Sequence, residues 1–209
     1  MLQFFSASTS IVNSRRAITE CLEIALEGEP SLDCDLLIIY TGMGHNFQDL
    51  LNEAHTIAPN AQVVGCTCAG VIGKEGPDES MRALGIMAVK GPKEEFAVSL
   101  VESMESLNQE AMTNAYNSAA KELKKKLPET RFILCLPTRL SSSYAITGIE
   151  SVFGEDVPVV GGVSCDNLKF ISDFQFLGEE VHEKSGVVVG FADPTLEMFS
   201  QGNHGTEVI

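Results

Sequence analysis

The chain has 209 residues, of which 29 are acidic and 14 basic, for a net charge of −15. A nucleic-acid backbone is held by a surplus of Lys and Arg, so this balance excludes nucleic acid as a partner. Hydrophobic residues make up 44%, enough for one large domain or two closely packed halves. No stretch approaches the ~20 apolar residues of a membrane span.

Met1 to Ser6 has neither the basic segment nor the long apolar segment of a secretion signal. The six cysteines, Cys21, Cys34, Cys66, Cys68, Cys135 and Cys165, fall mostly in apolar runs, where a free thiol packs as a small hydrophobe. Together these features predict a cytoplasmic protein with reduced cysteines.

Leu2 to Ser6 predicts a short strand. Ile18, Cys21, Leu22, Ala25 and Leu26 then share one helix face. Asp35 to Tyr40 predicts a buried strand, followed by a helix with Phe47, Leu50, Leu51, Ala54 and Ile57 inward. Val63-Val64-Gly65 and Leu84 to Val89 complete a first set of strands. The order then repeats. Phe96 to Leu100 predicts a strand, and Met112, Ala115, Tyr116, Ala119 and Leu123 mark a helix. That helix ends in Lys124-Lys125-Lys126, which complements the negative end of the helix dipole. Arg131 to Leu136, a helix with Ala145, Ile149, Val152 and Phe153 inward, Val159-Val160-Gly161 and Gly186 to Phe191 follow. Asp173 to Leu177 alternates and predicts a hairpin with the strand after it.

Moving along the chain by 96 residues carries Asp35–Tyr40 onto Arg131–Leu136 and Val63–Gly65 onto Val159–Gly161. The expected fold class is therefore α/β, built from two pseudo-symmetric β-α-β-α-β-β halves. Right-handed crossovers make the first three strands of each half parallel. The halves either extend one mixed sheet or stack two sheets with helices outside. Residues 1–94 form the first repeat and 95–195 the second. Residues 196–209 are expected to begin a further segment of a longer chain, with a strand from Leu196 to Gly202.

Two turns carry the candidate chemistry. Val63-Val64-Gly65-Cys66-Thr67-Cys68-Ala69-Gly70 and Val159-Val160-Gly161-Gly162-Val163-Ser164-Cys165-Asp166 each end a buried strand in glycine and small hydroxyl or thiol residues. Ligands of open α/β sheets bind at that end, and glycine lets backbone amides approach them closely. The loops after the preceding strands contribute His45 in the first half and Arg139, Ser141 and Ser142 in the second. Ser141 to Ser143 offer an N-cap to the next helix. A ligand carboxylate would be received by that helix N-terminus and by Arg139. The candidate ligand-binding set is His45, Gly65, Cys66, Thr67, Arg139, Ser141, Ser142, Gly161, Gly162, Ser164 and Asp166.

A second reading pairs Cys66 with His45 as thiol and base, oriented by Asp166, in a cysteine-dependent hydrolase or transferase. No protease or amidase signature surrounds either residue. In the bland reading, Cys66 packs in a turn and His45 caps the helix near Asn46. Cys66-x-Cys68 has no second Cys or His pair nearby, so no metal and no cofactor are expected.

Val64 to Ile72 resembles the glycine-cysteine signature of the FIST domain family. Pro158 to Asp166 is similar to that family's later Pro-Val-x-Gly-Gly stretch, and Asp35 to Tyr40 with Gly44-His45 resembles its strand and loop. Val71 departs from the pattern, which has an acid there. The resemblance implies an N-terminal FIST domain. Such a domain is a sensory, signal-transducing module for a small ligand, an amino acid or related anion. Its partners would be a C-terminal FIST domain or a signalling output module. A third reading, a protein-interaction module, rests on an apolar edge exposed where the chain stops.

Overall fold

The computed structural model describes residues 1–27, 30–74, 76–102, 104, 108–139, 141–167, 169 and 171–198. The first half comprises β1 (Gln3–Thr9), α1 (Ser14–Leu26), β2 (Leu36–Thr41), α2 (Phe47–Ile57), β3 (Gln62–Thr67), β4 (Val71–Gly73), β5 (Gly76–Asp78) and β6 (Leu84–Lys90). The second comprises β7 (Phe96–Val101), α3 (Gln109–Lys126), β8 (Phe132–Pro137), α4 (Ser142–Phe153), β9 (Val159–Gly161), β10 (Phe174–Leu177), β11 (Glu180–Glu183) and β12 (Gly186–Phe191).

Asparagines at 13, 46 and 108 start the first three helices, each accepting a bond from the amide three residues on, as good caps do. Ser141 occupies the cap position of α4 without capping it by its side chain. Its hydroxyl lies 2.9 Å from both the Thr138 carbonyl and the Tyr116 hydroxyl. The lysines ending α3 also reach outward. Lys124 Nζ donates to the Val152 carbonyl in the last turn of α4, and Lys126 Nζ to the Val98 carbonyl.

The strands form a sheet ordered β1-β6-β2-β3-β10-β11, a second ordered β7-β12-β8-β9, and a separate β4-β5 pair. In each large sheet the last strand of the half runs antiparallel between the first and second. The first three strands of each half therefore point the same way, although only the second and third are adjacent.

Of the two expected arrangements, the sheets are stacked. Along β2, Leu36 and Ile38 join a core shared by both sheets, while Leu37 and Ile39 join the core beneath α1 and α2. Along β12, Val187 and Val189 face the first sheet, and Val188 lies beneath α3 and α4. Burial on both faces is why these strands read as unbroken apolar runs. Each fully buried Leu, Ile or Val contributes roughly 1.5–3 kcal/mol.

The repeat is kept to the residue where the parallel strands meet. Ile38 pairs with Val64 and Ile39 with Gly65; 96 residues on, Leu134 pairs with Val160 and Cys135 with Gly161. One expectation fails. Phe174–Leu177 forms its hairpin with β11, not with the strand at Gly186, and joins the first half's sheet through β3. Phe174 and Phe176 account for this choice. Both rings lie 5.4 Å from Phe47 of α2, and Phe176 is fully buried there. Leu196 to Met198 is not a strand. The rest of the strand expected up to Gly202 lies outside the described residues.

Candidate functional site

The two strand-end turns meet. Cys165 donates its amide to the Thr67 carbonyl at 3.1 Å, and Phe174 donates to the Thr67 hydroxyl at 3.1 Å. Asn167 bridges further, donating to the Ala69 carbonyl at 3.1 Å and accepting from the Met43 amide at 3.3 Å. Thr67 and its counterpart turn thus form a bonded seam between the halves.

Behind the seam lies a buried polar network. The Ser164 hydroxyl sits 2.6 Å from the Asp173 carboxylate and 2.9 Å from the Pro137 carbonyl, and it accepts from the Gln175 amide. Gln175 Oε1 in turn accepts from the Ser185 hydroxyl at 2.9 Å. Asp166 turns its carboxylate inward, where Oδ2 accepts from the Ile171 and Ser172 amides at 2.6 and 3.0 Å. Arg139 Nε stands 3.9 Å from Asp173, and its Nη2 donates to the Ile171 carbonyl. Its buried Nη1 has no partner among the described residues.

His45 and Cys66 are held separately. His45 is buried, with Nδ1 3.2 Å from the Ser14 hydroxyl and Nε2 2.9 Å from the Arg82 carbonyl. Both ring nitrogens are engaged, and burial lowers the imidazole pKa. The helix cap is Asn46, not His45. Cys66 packs in the core between the sheets. Burial, with Cys68 and Cys165 nearby, pushes its thiol well above the ordinary range. A buried, protonated thiol is a poor nucleophile. All six cysteines are free. Among the described residues, no group of three His, Cys, Asp or Glu side chains is placed to hold a metal ion.

Beside the seam, a cavity of about 360 Å³ opens between the inner face of the first sheet and the β4–β5 hairpin. Ser6 and Ser8 of β1, Tyr40 of β2, Gly70, Val71 and Lys74 line it. Val71 lies over Gly85 of β6, which has no side chain to fill the space. A smaller hollow of about 140 Å³ lies between β9 and α4 and takes in Ser142, Gly161 and Gly162. A hollow of about 900 Å³ runs along α3 and contains none of the strand-end residues.

Gly65, Cys66 and Thr67 therefore lead into the seam. Ser164, Asp166 and Arg139 lie in or against its polar network. Ser142, Gly161 and Gly162 border the smaller hollow, and His45 and Ser141 serve internal bonds. None of the residues lining the 360 Å³ cavity is in the candidate ligand-binding set, although Gly70, Val71 and Ile72 belong to the signature stretch. In sequence its hairpin is marked only by the glycines on either side of Val71-Ile72 and by the Gly76-Pro77 pair that opens β5.

The profile of the FIST N domain matches residues 35–209. The chain belongs to the FIST N domain family. No curated protein sequence matches this FIST domain. Among solved structures it is similar to cyanuric acid hydrolase from A. caulinodans, at 11% identity and a TM-score of 0.48, covering 93% of this chain and 68% of that one. It is also similar to a second cyanuric acid hydrolase, described as an evolutionary innovation by structural concatenation. There the identity is 10% and the TM-score 0.43, with 92% and 68% of the two chains covered. Among the described residues, no helix of this FIST domain is long and apolar enough to cross a membrane.

Proposed function

We propose that this FIST domain is a small-ligand sensor whose ligand sits in the 360 Å³ cavity beside the seam. The observation that carries this reading is the lining of that cavity. Gly70 and Val71 of the family signature line it together with three hydroxyl-bearing residues, Ser6, Ser8 and Tyr40, and one cationic residue, Lys74. A volume of this size suits an amino acid or a comparable organic acid. Lys74, the one cationic residue in the lining, favours a carboxylate. The seam supplies the signalling element. A ligand that pulls on Gly70 acts on the turn that Thr67 and Ala69 bond to the second half. The output is a C-terminal FIST domain or a signalling module that reads the relative position of the halves.

A thermal-shift screen with amino acids and small organic acids tests this. A ligand at 100 times its Kd adds about 2.7 kcal/mol, or about 5–10 °C in a domain of this size. The shift is expected to shrink in Lys74→Ala and Tyr40→Phe and to persist in Arg139→Ala. A ligand whose shift depends on Arg139 and not on Lys74 would place the site at the other turn.

A further inference from the structure

The two sheets differ at one edge. The outer edge of β3 is covered by β10, with Val64 opposite Leu177, Gly65 opposite Phe176 and Cys66 opposite Gln175. Phe176 thereby fills the space between β3 and α2. The equivalent edge of the second half is β9, and no strand covers it among the described residues. Val160, Gly161 and Gly162 stand where Val64, Gly65 and Cys66 stand in the first half, and both glycines are exposed. The groove of about 140 Å³ between β9 and α4 is the space that Phe176 fills in the other half. Ile146 holds the place of the buried Leu50 but is 44% exposed, and Val163 beside it is 39% exposed.

The first half also carries the matching plug. Each half has a hairpin between its third and last sheet strands: β4–β5 in one, β10–β11 in the other. β10–β11 adds to the sheet of the other half. β4–β5 pairs with neither large sheet. Ile72, the middle residue of β4, is 89% exposed, the most of any exposed large hydrophobic among the described residues. One chain thus holds an open strand edge with an apolar groove and a hairpin that packs on the first sheet through Val71 but pairs with no large sheet and turns an apolar tooth, Ile72, outward.

We infer that β9 is a docking edge for the β4–β5 hairpin of a second copy of this chain. β4 of that copy adds to β9 opposite Val160, Gly161 and Gly162, and its Ile72 enters the groove beside Ile146. Backbone hydrogen bonds hold the added strand, and the groove selects the side chain opposite Gly161. Socket and plug are different surfaces, so the contact runs head to tail and either closes a ring or extends a chain.

Sedimentation velocity of the full chain from about 1 to 200 µM, a range spanning typical weak and moderate affinities, tests the inference. Self-association rising with concentration is expected, abolished by Ile72→Asp, which spoils the plug, and by Ile146→Asp, which spoils the socket. Both positions are exposed, and unchanged far-UV circular dichroism will show that the fold is kept. Mixing the two variants should restore association to heterodimers, because one supplies an intact plug and the other an intact socket. A wild-type monomer throughout the range would overturn the inference. So would association that survives both substitutions, or variants that fail to complement each other.

Discussion

Gly65 and Gly161 occupy the same place in two parallel strand pairs, and each lies against the carbonyl of the residue opposite. A Cβ built on Gly65 would run into the Ile39 carbonyl oxygen, and one built on Gly161 into that of Cys135. Neither neighbour is a side chain that can swing away. Gly161 also has φ of +152°, which an L side chain rarely adopts. Gly65→Ala and Gly161→Ala should each cost about 3 kcal/mol, the upper end of what overpacking costs. Gly162→Ala, with open space around it, should stay within about 0.5 kcal/mol of wild type. Urea denaturation of the three variants measures this. Equal stabilities would remove the close backbone approach as the reason for the glycines.

The seam depends on Gln175, which is fully buried and joins Ser164 and Asp173 to Ser185. Gln175→Leu keeps the volume and strands those partners. A loss of about 1–3 kcal/mol is expected, the cost of leaving buried polar groups unmade. Hydrogen exchange should quicken first at Phe174 to Leu177, the strand that crosses to the other half. Uniform quickening across both sheets would mean that Gln175 supports the fold generally and not the seam.

Asp193 ties the two ends of the described chain together. Its carboxylate accepts from the Thr195 hydroxyl and amide at 2.7 and 2.8 Å and from the Leu2 amide at 2.6 Å. These bonds, Thr195 first, lower its pKa from 3.8 to about 2. The folded value lies below the unfolded one. The stabilisation is therefore present above about pH 4 and is lost as the pH falls towards 2. Wild type should be more stable than Asp193→Asn at pH 6, and the gap should narrow below pH 4. Parallel stability curves over that range would contradict the assignment.

Thiol reactivity separates the sensor from a cysteine enzyme. Burial pushes Cys68 and Cys135 up to about 12 and raises Cys66 well above its ordinary value, whereas Cys165 is less buried. Iodoacetamide at pH 7.5 should label Cys165 first and leave Cys66 unmodified until unfolding, as read by peptide mass spectrometry. Fast, selective labelling of Cys66 would restore the nucleophile reading.

Much of the architecture was legible because it is written in periodicity. The runs Leu36–Tyr40 and Val187–Val189 are apolar at every position, and both faces of those strands are indeed buried. The repeat of Val63-Val64-Gly65 at Val159-Val160-Gly161 carried the strand register with it. What escaped is what depends on long-range partners. Whether Phe174–Leu177 pairs forwards or crosses to β3 turns on Phe47, more than a hundred residues away. The β4–β5 hairpin has only three residues per strand, too few for an alternating pattern, which leaves only its glycines to mark it. At the site, the two turns singled out from sequence meet through the Cys165–Thr67 bond. Sequence could not show that Asp166 spends its carboxylate on Ile171 and Ser172, because such bonds are set by loop geometry.

The central claim is that a small carboxylate binds beside Gly70. Amide chemical-shift mapping of the labelled protein, titrated with the strongest stabilising compound from the ligand screen, tests it most directly. The account predicts perturbations at Gly70 to Lys74, Tyr40 and Gly85, with weaker ones passing through Thr67 to Cys165. Perturbations centred on Arg139, Ser142, Gly161 and Gly162, with Gly70 and Lys74 unmoved, would contradict it.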